Sequence, residues 1–298
     1  MLKKKYILND GIIDFNIKDL VTTKVGEFYE SDPFPAYNLT DDKRYILNIG
    51  DKNSLLKKLK DFIGFNKSVL EVGSGTSQLS NYLAISTNNK IYAFDSSLNS
   101  LKMGKNFAKK NEIHNITFVR GDIFDNVFKE NSFDFIFSNG VLHHTKDPYG
   151  AFKNIVGYLK KNGYIVLGLY NRYGRLRTYI RKYLFKIFGK NFLMIFDPVL
   201  RSTSKESTQK INSWIKDQYM HPQETSHTYD EVLDWFNKND IKFINSLPSC
   251  EFYDENPSDI FEIKSSGNFI SRVFNQIKMI FTRHGSEGAI FIFIGKKI

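Results

Sequence analysis

The fold is decided by nine residues, Val69-Leu-Glu-Val-Gly-Ser-Gly-Thr-Ser77, in which a short apolar strand runs into a glycine-containing loop. Gly73 and Gly75 permit a sharp turn and leave room for a ligand close to the backbone. A helix is predicted from Gln78 to Ala84, and its first free N–H groups would point to the same edge as the loop. This stretch therefore predicts a strand, a ligand-binding turn and a helix in succession.

The same alternation of strand and helix continues along the chain. Seven strands are predicted, at residues 69–72, 90–94, 116–119, 133–137, 163–169, 242–247 and 289–294. Helices are predicted at 78–84, 100–111, 151–159 and 228–237, the last with Thr228 and Glu231 as a capping box. Apolar strands that alternate with amphipathic helices form mostly parallel sheets covered on both faces. We therefore predict an α/β fold, a doubly wound, Rossmann-like, seven-stranded sheet.

The alternation also divides the chain. Residues 1–65 are predicted to be an N-terminal accessory segment, with a hairpin around Asn9-Asp10-Gly11 and a helix at 54–62. Residues 66–298 are predicted to be the main domain, with an insertion at 171–227 after the fifth predicted strand and an irregular surface excursion at 250–288. The aromatic residues at 28–29 and the prolines at 33 and 35 would either close over a ligand or dock on the core.

Composition limits the class of protein. The chain has 298 residues, 41% of them hydrophobic and 25% charged, which excludes wholesale disorder. Its single cysteine, Cys250, excludes a disulfide framework and favours a cytoplasmic location. No apolar run reaches the ~18–20 residues needed to span a bilayer, and we expect no signal peptide.

Acidic and polar residues follow four of the predicted strands. Asp95 lies twenty residues after Gly75 at the end of the second strand, where a carboxylate can accept hydrogen bonds from ribose hydroxyls. Asp122 follows the third strand, and the fourth runs into Asn139-Gly-Val-Leu-His-His144. Because the carboxyl ends of parallel strands meet at one edge of a sheet, these loops predict a nucleoside-binding site.

Residues 67–170 resemble the class I S-adenosylmethionine-dependent methyltransferases. Val69 to Ser77 resembles their first motif, and Asp95 resembles their ribose-binding acid. Gly121-Asp122-Ile123 resembles their adenine-contacting motif, and Asn139 to His144 is similar to the fourth motif of the small-molecule and tRNA-wobble branches. The third glycine common in the family is Ser77 here, which we expect to be tolerated. Gln78 stands where a dinucleotide-binding pattern requires glycine, which argues against NAD.

The resemblance implies S-adenosylmethionine as the cofactor and assigns residues of four loops to its parts. Glu71, Gly73, Ser74 and Gly75 would hold the methionine part, Asp95 with Ser96 the ribose, Asp122 and Ile123 the adenine, and Asn139 would lie near the sulfonium. It also implies an in-line displacement in which the protein mainly positions the acceptor.

The histidine pair after the fourth strand supplies the candidate general bases, with His144 ahead of His143, since a neutral imidazole can accept a proton from an acceptor. Alternatively, one of them caps the loop. Two adjacent histidines without a further ligand are a poor metal site, and we expect no metal. The chain lacks the Asn/Asp-Pro-Pro-aromatic run of the amino-methylating DNA enzymes, so we expect no DNA partner.

The net charge of +10 is concentrated in one segment, because residues 171–190 hold seven bases and no acid. An apolar stripe, Leu176, Tyr179, Ile180, Tyr183, Leu184, Ile187 and Phe188, has helical spacing, with Arg177, Arg181, Lys182 and Lys186 on the other face. Either the stripe packs on the domain and the bases face water, or the segment binds RNA, lies on a membrane through residues 175–190, or covers the substrate.

The sequence thus predicts a methyltransferase acting on an oxygen or nitrogen of a small, acidic acceptor. The candidate substrate contacts are Tyr29, Tyr170, Arg172 and Arg175. An RNA methyltransferase that uses the basic segment and an inactive cofactor-binding scaffold remain as alternatives.

Overall fold

A computed structural model of the chain describes residues 1–31, 33–35, 37–38, 40–202, 208–221, 223–252, 259–282 and 288–298. Its strands are β1 (Ile7–Asn9), β2 (Ile12–Asp14), β3 (Ser68–Val72), β4 (Lys90–Asp95), β5 (Ile116–Arg120), β6 (Phe133–Asn139), β7 (Leu159–Tyr170), β8 (Ile241–Leu247) and β9 (Ile290–Lys297). Its helices are α1 (Leu20–Ser31), α2 (Lys43–Lys52), α3 (Ser54–Ile63), α4 (Gln78–Ala84), α5 (Leu98–Lys110), α6 (Pro148–Gly157), α7 (Leu176–Phe188), α8 (Lys190–Phe196), α9 (Pro198–Ser202), α10 (Thr208–Tyr219), α11 (Tyr229–Lys238) and α12 (Phe269–Phe281).

These strands form one sheet in the order β1-β2-β5-β4-β3-β6-β7-β9-β8. From β2 to β7 all neighbours are parallel, and β9 is antiparallel to both β7 and β8. All five residues of the central strand β3 are buried, because helices cover both faces of the sheet. The Rossmann-like α/β prediction is confirmed, and the seven predicted strands correspond to β3 through β9.

The predicted count of seven strands is too low by two, since the N-terminal hairpin joins the sheet. Asp10 and Gly11 form its turn with positive φ angles of 50° and 71°. β2 then pairs in parallel with β5 through Ile13 and Val119. The alternating pattern of these short strands predicts a hairpin, but it does not predict which edge the hairpin extends.

The predicted irregular excursion at 250–288 is wrong over its last part, where α12 lies. Asn268 caps this helix by accepting a hydrogen bond from the Ser271 N–H (2.9 Å). Its buried face carries Ser271, Gln276 and Met279, so the inward residues are largely polar. A pattern search that expects apolar residues on the inward face therefore misses it.

The basic insertion folds into α7 to α10 with a small core of its own, formed by Leu193, Leu200, Ile211, Ile215 and Tyr219. The orientation of α7 is the reverse of the alternative in which its apolar stripe packs on the domain and its bases face water. Most of the apolar stripe is exposed. The buried residues of α7 are Thr178 and Arg181, which lie outside the stripe. The inward arginine is accommodated because the Tyr219 hydroxyl is one of its hydrogen-bond partners.

The contacts of Arg175, the residue just before α7, account for this orientation. Its side chain is 0% exposed, and its Nε and Nη2 atoms donate to the two carboxylate oxygens of Glu224 (3.0 and 2.9 Å). Its Nη1 donates to Gln218 Oε1 (2.6 Å) and to the Gly288 carbonyl (3.1 Å), and its guanidinium lies 3.5 Å from the ring centre of Tyr170. A bidentate, fully hydrogen-bonded pair of this kind is the arrangement in which a buried charge is tolerated.

We predict that Arg175→Met lowers the free energy of unfolding by about 3–5 kcal/mol, because it removes both bidentate hydrogen bonds of the buried Glu224 carboxylate, whose contact with Lys182 Nζ is longer (3.7 Å). Arg172→Met is the matched control. Arg172 forms an exposed ion pair with Glu231 (2.8 Å), and its loss should cost less than ~1 kcal/mol. Urea unfolding of both variants measures the difference, and equal destabilisation of the two would contradict the structural role of Arg175.

Candidate functional site

A cavity of about 490 Å³ opens at the carboxyl edge of the central strands, within the size range of small-molecule sites. Its floor is made by the ends of β3, β4, β6 and β7, and its walls by residues of α1 and α10. The cavity therefore lies where the sequence places the nucleoside site, with the N-terminal segment and the insertion on either side.

Eight of the nine predicted cofactor residues line this cavity: Glu71, Gly73, Ser74, Gly75, Asp95, Ser96, Ile123 and Asn139. Asp122 does not. It is buried, and its carboxylate accepts a hydrogen bond from the Phe124 N–H (2.9 Å), which holds the loop that carries Ile123. The absence of a side chain at Gly168 leaves space for the Asn139 amide on the neighbouring strand.

The glycine loop is held by the N-terminal segment. Gly73 and Gly75 have φ angles of 68° and 49°, and a side chain at Gly75 would collide with the Phe34 carbonyl. The Thr76 hydroxyl donates to the Pro35 carbonyl (2.5 Å). Phe34 and Pro35 thereby reach the cavity wall.

The serine that replaces the third glycine also has a positive φ angle. Ser77 adopts the left-handed conformation (φ 59°) and caps α4 without a side-chain hydrogen bond to the helix. A residue with a Cβ atom in this conformation costs on the order of 1–2 kcal/mol. The backbone at this position therefore favours glycine, and the survival of cofactor binding with the serine stays a prediction.

The Asp95 carboxylate is fixed before any ligand arrives. Its two oxygens accept hydrogen bonds from the Gly75 N–H (2.7 Å) and the Ser97 N–H (2.8 Å). Burial raises its pKa, while these backbone donors lower it. Since a carboxylate has about four acceptor positions, two remain for hydroxyl groups in the cavity.

Glu71 has the most perturbed carboxyl group of the site. Burial raises its pKa to about 8, against the lowering effect of hydrogen bonds from the Ser80 hydroxyl and the Ser80 N–H (2.9 Å). The side chain is therefore mostly protonated at neutral pH and can take up a negative charge when a cation is placed beside it.

The structure separates the two histidines. His143 is fully buried and does not line the cavity; its Nδ1 accepts from the Tyr170 N–H (3.2 Å), and its ring stacks on that of Tyr170. His144 lines the cavity, and its Nδ1 lies 2.8 Å from the Gln223 carbonyl oxygen. Because a carbonyl only accepts, Nδ1 carries the proton and Nε2 is the free acceptor, which has no partner among the described residues.

Burial also keeps His144 neutral. It lowers the pKa of His144 to about 4, partly offset by the hydrogen bond to the Gln223 carbonyl. The ring of His221 lies against it, with ring centres 3.6 Å apart, and burial lowers the pKa of His221 as well. His144 therefore lines the cavity as a neutral imidazole at physiological pH, with Nε2 buried and without a partner among the described residues.

The four predicted substrate contacts fall into two groups. Tyr29 and Tyr170 line the cavity. Tyr29 donates to Asp217 (2.6 Å) and so links α1 to α10, and the Tyr170 hydroxyl accepts from Gln218 (3.0 Å). The two predicted arginine contacts do not line the cavity. Arg172 lies on the surface, paired with Glu231, and Arg175 lies behind Tyr170, paired with Glu224.

Sequence reasoning missed several residues of the cavity wall. Val21 and Val25 come from α1, and Trp214, Asp217 and Gln218 come from α10. The spacing of Ile211, Ile215 and Tyr219 indicates a helix, but only the packing of α10 against α7 reveals that its opposite side faces the cavity.

Two other kinds of site have no candidate in the described ranges. No group of three or more His, Cys, Asp or Glu side chains there could hold a metal ion. None of the helices in the same ranges is both long and apolar enough to span a bilayer.

Comparison with known proteins identifies the central region. Residues 70–167 match the family model described as a methyltransferase domain. A demethylmenaquinone methyltransferase of Renibacterium salmoninarum is 28% identical over 159 residues, which cover 52% of this chain and 63% of that protein. The chain spans between 44% and 63% of the length of the curated relatives that it matches.

Two solved structures share the fold over nearly the whole chain. The geranyl diphosphate C-methyltransferase of Streptomyces coelicolor has a TM-score of 0.53 and 10% identity, covering 95% of this chain and 100% of that one. The magnesium protoporphyrin IX methyltransferase of Synechocystis has a TM-score of 0.53 and 11% identity, covering 93% and 100%. Residues 70–167 of this chain thus match a methyltransferase domain, and the fold around them is the one that these two structures share.

Proposed function

We propose that this protein transfers the methyl group of S-adenosylmethionine to an oxygen or nitrogen atom of a small, largely apolar acceptor. The observation that carries the proposal is that one cavity unites eight residues of the family's cofactor motifs with a neutral histidine and an apolar wall. The curated relatives named demethylmenaquinone methyltransferases are consistent with a small-molecule acceptor.

The residues present fit the cofactor. When bound, S-adenosylmethionine supplies a methyl group already activated by a positively charged sulfur. Asp95 has two acceptor positions free for the ribose hydroxyls, and Ile123 offers an apolar surface to the adenine ring. Glu71 and the loop from Gly73 to Gly75 would hold the methionine part, and Asn139 would lie beside the sulfonium.

The remaining wall of the cavity describes the acceptor. Its apolar surface comes from Val25, Trp214 and Ile290. Its polar groups include Asp217 and Gln218, which are hydrogen-bonded to Tyr29 and Tyr170 of this chain. The sequence suggested an acidic acceptor because arginines follow β7. Since Arg172 and Arg175 are paired with Glu231 and Glu224, that argument no longer holds, and we propose a neutral acceptor.

His144 would accept the proton that the acceptor loses. S-adenosylmethionine held in the cavity would supply the methyl group, and its sulfur would keep the electron pair of the carbon–sulfur bond as the acceptor atom takes the methyl carbon. The acceptor proton would then pass to His144 Nε2, a buried atom that has no hydrogen-bond partner among the described residues, on a side chain that lines this cavity.

We predict that His144→Phe lowers kcat by about 10²-fold or more, the usual contribution of a positioned base. The affinity for S-adenosylmethionine should stay within about twofold, since cofactor and base occupy different parts of the cavity. Turnover is measured with labelled methyl donor and extracted small metabolites, and binding by calorimetry. His114→Gln, at an exposed histidine, is the control. Unchanged turnover in His144→Phe would remove the base from the mechanism, and no cofactor binding by the wild type would overturn the whole proposal.

We also predict that S-adenosylmethionine releases a proton from the protein when it binds at pH 7. Glu71 holds its proton up to a pKa of about 8, and a cationic ligand beside it favours the carboxylate and lowers that pKa. Calorimetry in buffers of different ionisation enthalpy should show release of roughly half to one proton.

In this experiment Glu71→Gln should bind without the release, and the exposed Glu130→Gln should behave as the wild type. Equal proton release by Glu71→Gln would show that another group titrates.

A further inference from the structure

The insertion and α12 expose apolar side chains to an unusual degree. On α7 these are Leu176, Ile180, Tyr183 and Ile187, which share one face at i, i+4, i+7 and i+11. On α8 they are Ile195 and Phe196, and on α12 they are Ile270, Phe274, Ile277 and Phe281. We call this set the outer apolar surface. Tyr183 is 66% exposed and Phe281 80%, so the surface is not a margin of the core.

The helices of this surface are neighbours. The Arg177 guanidinium on α7 donates to the Ile280 carbonyl at the end of α12 (3.1 Å). Gly174, just before α7, is so close to α12 that a side chain there would press on Met279. α8 packs directly on α7. α7 therefore adjoins both α8 and α12, the helices that carry the other exposed apolar residues, and soluble monomers rarely expose large apolar patches without a use for them.

The charge of the same helices has one sign. The thirteen residues of α7, the seven of α8 and the thirteen of α12 include no Asp or Glu. Lys186 on α7 and Lys278 on α12 are exposed beside the apolar residues, and Arg177 is half-buried between the two helices. Apolar and aromatic side chains bordered by bases are the pattern of helices that lie in the interface of a bilayer.

We propose that the outer apolar surface docks this protein on an anionic lipid bilayer. The bases would meet the negatively charged headgroups, and the apolar side chains would enter the boundary between headgroups and acyl chains. A second copy of the chain is disfavoured, since symmetric pairing would bring bases against bases. RNA is disfavoured because six of the ten side chains of this surface are isoleucine or leucine, which offer neither stacking nor phosphate contacts, although its four aromatic side chains could stack on bases.

Docking would also orient the candidate active site. The insertion carries the outer apolar surface on one side, and on the other it presents Trp214 and Gln218 to the cavity. The helices on the bilayer would thus be the outer layer of the cavity wall. The docking itself does not depend on methyl transfer and is tested without it.

The test is co-sedimentation of the full chain with vesicles of phosphatidylcholine, with and without one-quarter phosphatidylglycerol. We expect pelleting with the anionic vesicles, at least tenfold weaker with neutral ones, and weaker binding as salt is raised. The triple variant Ile180→Ser, Tyr183→Ser, Ile187→Ser should lose binding at least tenfold. The matched control is Ile7→Ser, Leu8→Ser, which removes two exposed apolar side chains from the N-terminal hairpin and should bind as the wild type.

A second readout follows the surface itself. Tyr183→Trp should show a blue-shifted emission with anionic vesicles, and brominated lipid should quench it. Thermal unfolding checks that every variant is folded. Failure to pellet at low salt, equal binding of the triple variant, or an unshifted emission would overturn the proposal. Two further results, found without vesicle binding, would also overturn the proposal. One is a dimer that the triple variant abolishes, and the other is salt-dependent RNA binding.

Discussion

The buried guanidinium of Arg175 holds the insertion, α7 to α10, against the sheet. Arg175 contacts Glu224, the α10 residue Gln218 and the Gly288 carbonyl before β9, and it stacks on Tyr170 at the end of β7. A charge in an apolar interior must keep all of its partners. The insertion is therefore held over the carboxyl edge of the sheet, where α10 becomes a wall of the cavity and α7 is left outside.

Exclusion of water by this arrangement accounts for the electrostatics of the site. The same burial that lowers the pKa of His144 to about 4 raises that of Glu71 to about 8, so both groups are mostly uncharged in the cofactor-free protein. The part of the wall formed by neutral His144, Val25, Trp214 and Ile290 costs little to desolvate for an apolar acceptor. It also leaves Glu71 able to ionise when a cation is bound, so the charge on the protein can follow the charge of its ligand.

The sequence was sufficient to predict the elements and cavity residues that depend on neighbouring residues in the chain. The strand–glycine loop–helix pattern predicted β3, the loop and α4, and four strand ends predicted the residues that meet at one edge, from Gly73 to Asn139. It failed at two residues. Asp122 and Asp95 each lie at or just after the end of a strand and each accept a hydrogen bond from an N–H two residues on, yet only Asp95 lines the cavity. Arg175 looked like a substrate contact because Glu224, 49 residues away, was not recognisable as its partner.

The orientation of α7 shows why the amphipathic pattern of a helix does not by itself predict which face is buried. Helical spacing separates an apolar face from a basic one, but it leaves open which face is buried. Burying the apolar face is the usual outcome because buried charges need partners. Here the described residues supply those partners to Arg175 and, through Tyr219, to Arg181, so the basic side can face the domain. The apolar face is then left for an environment outside the chain, and its bordering lysines make an anionic one the best match.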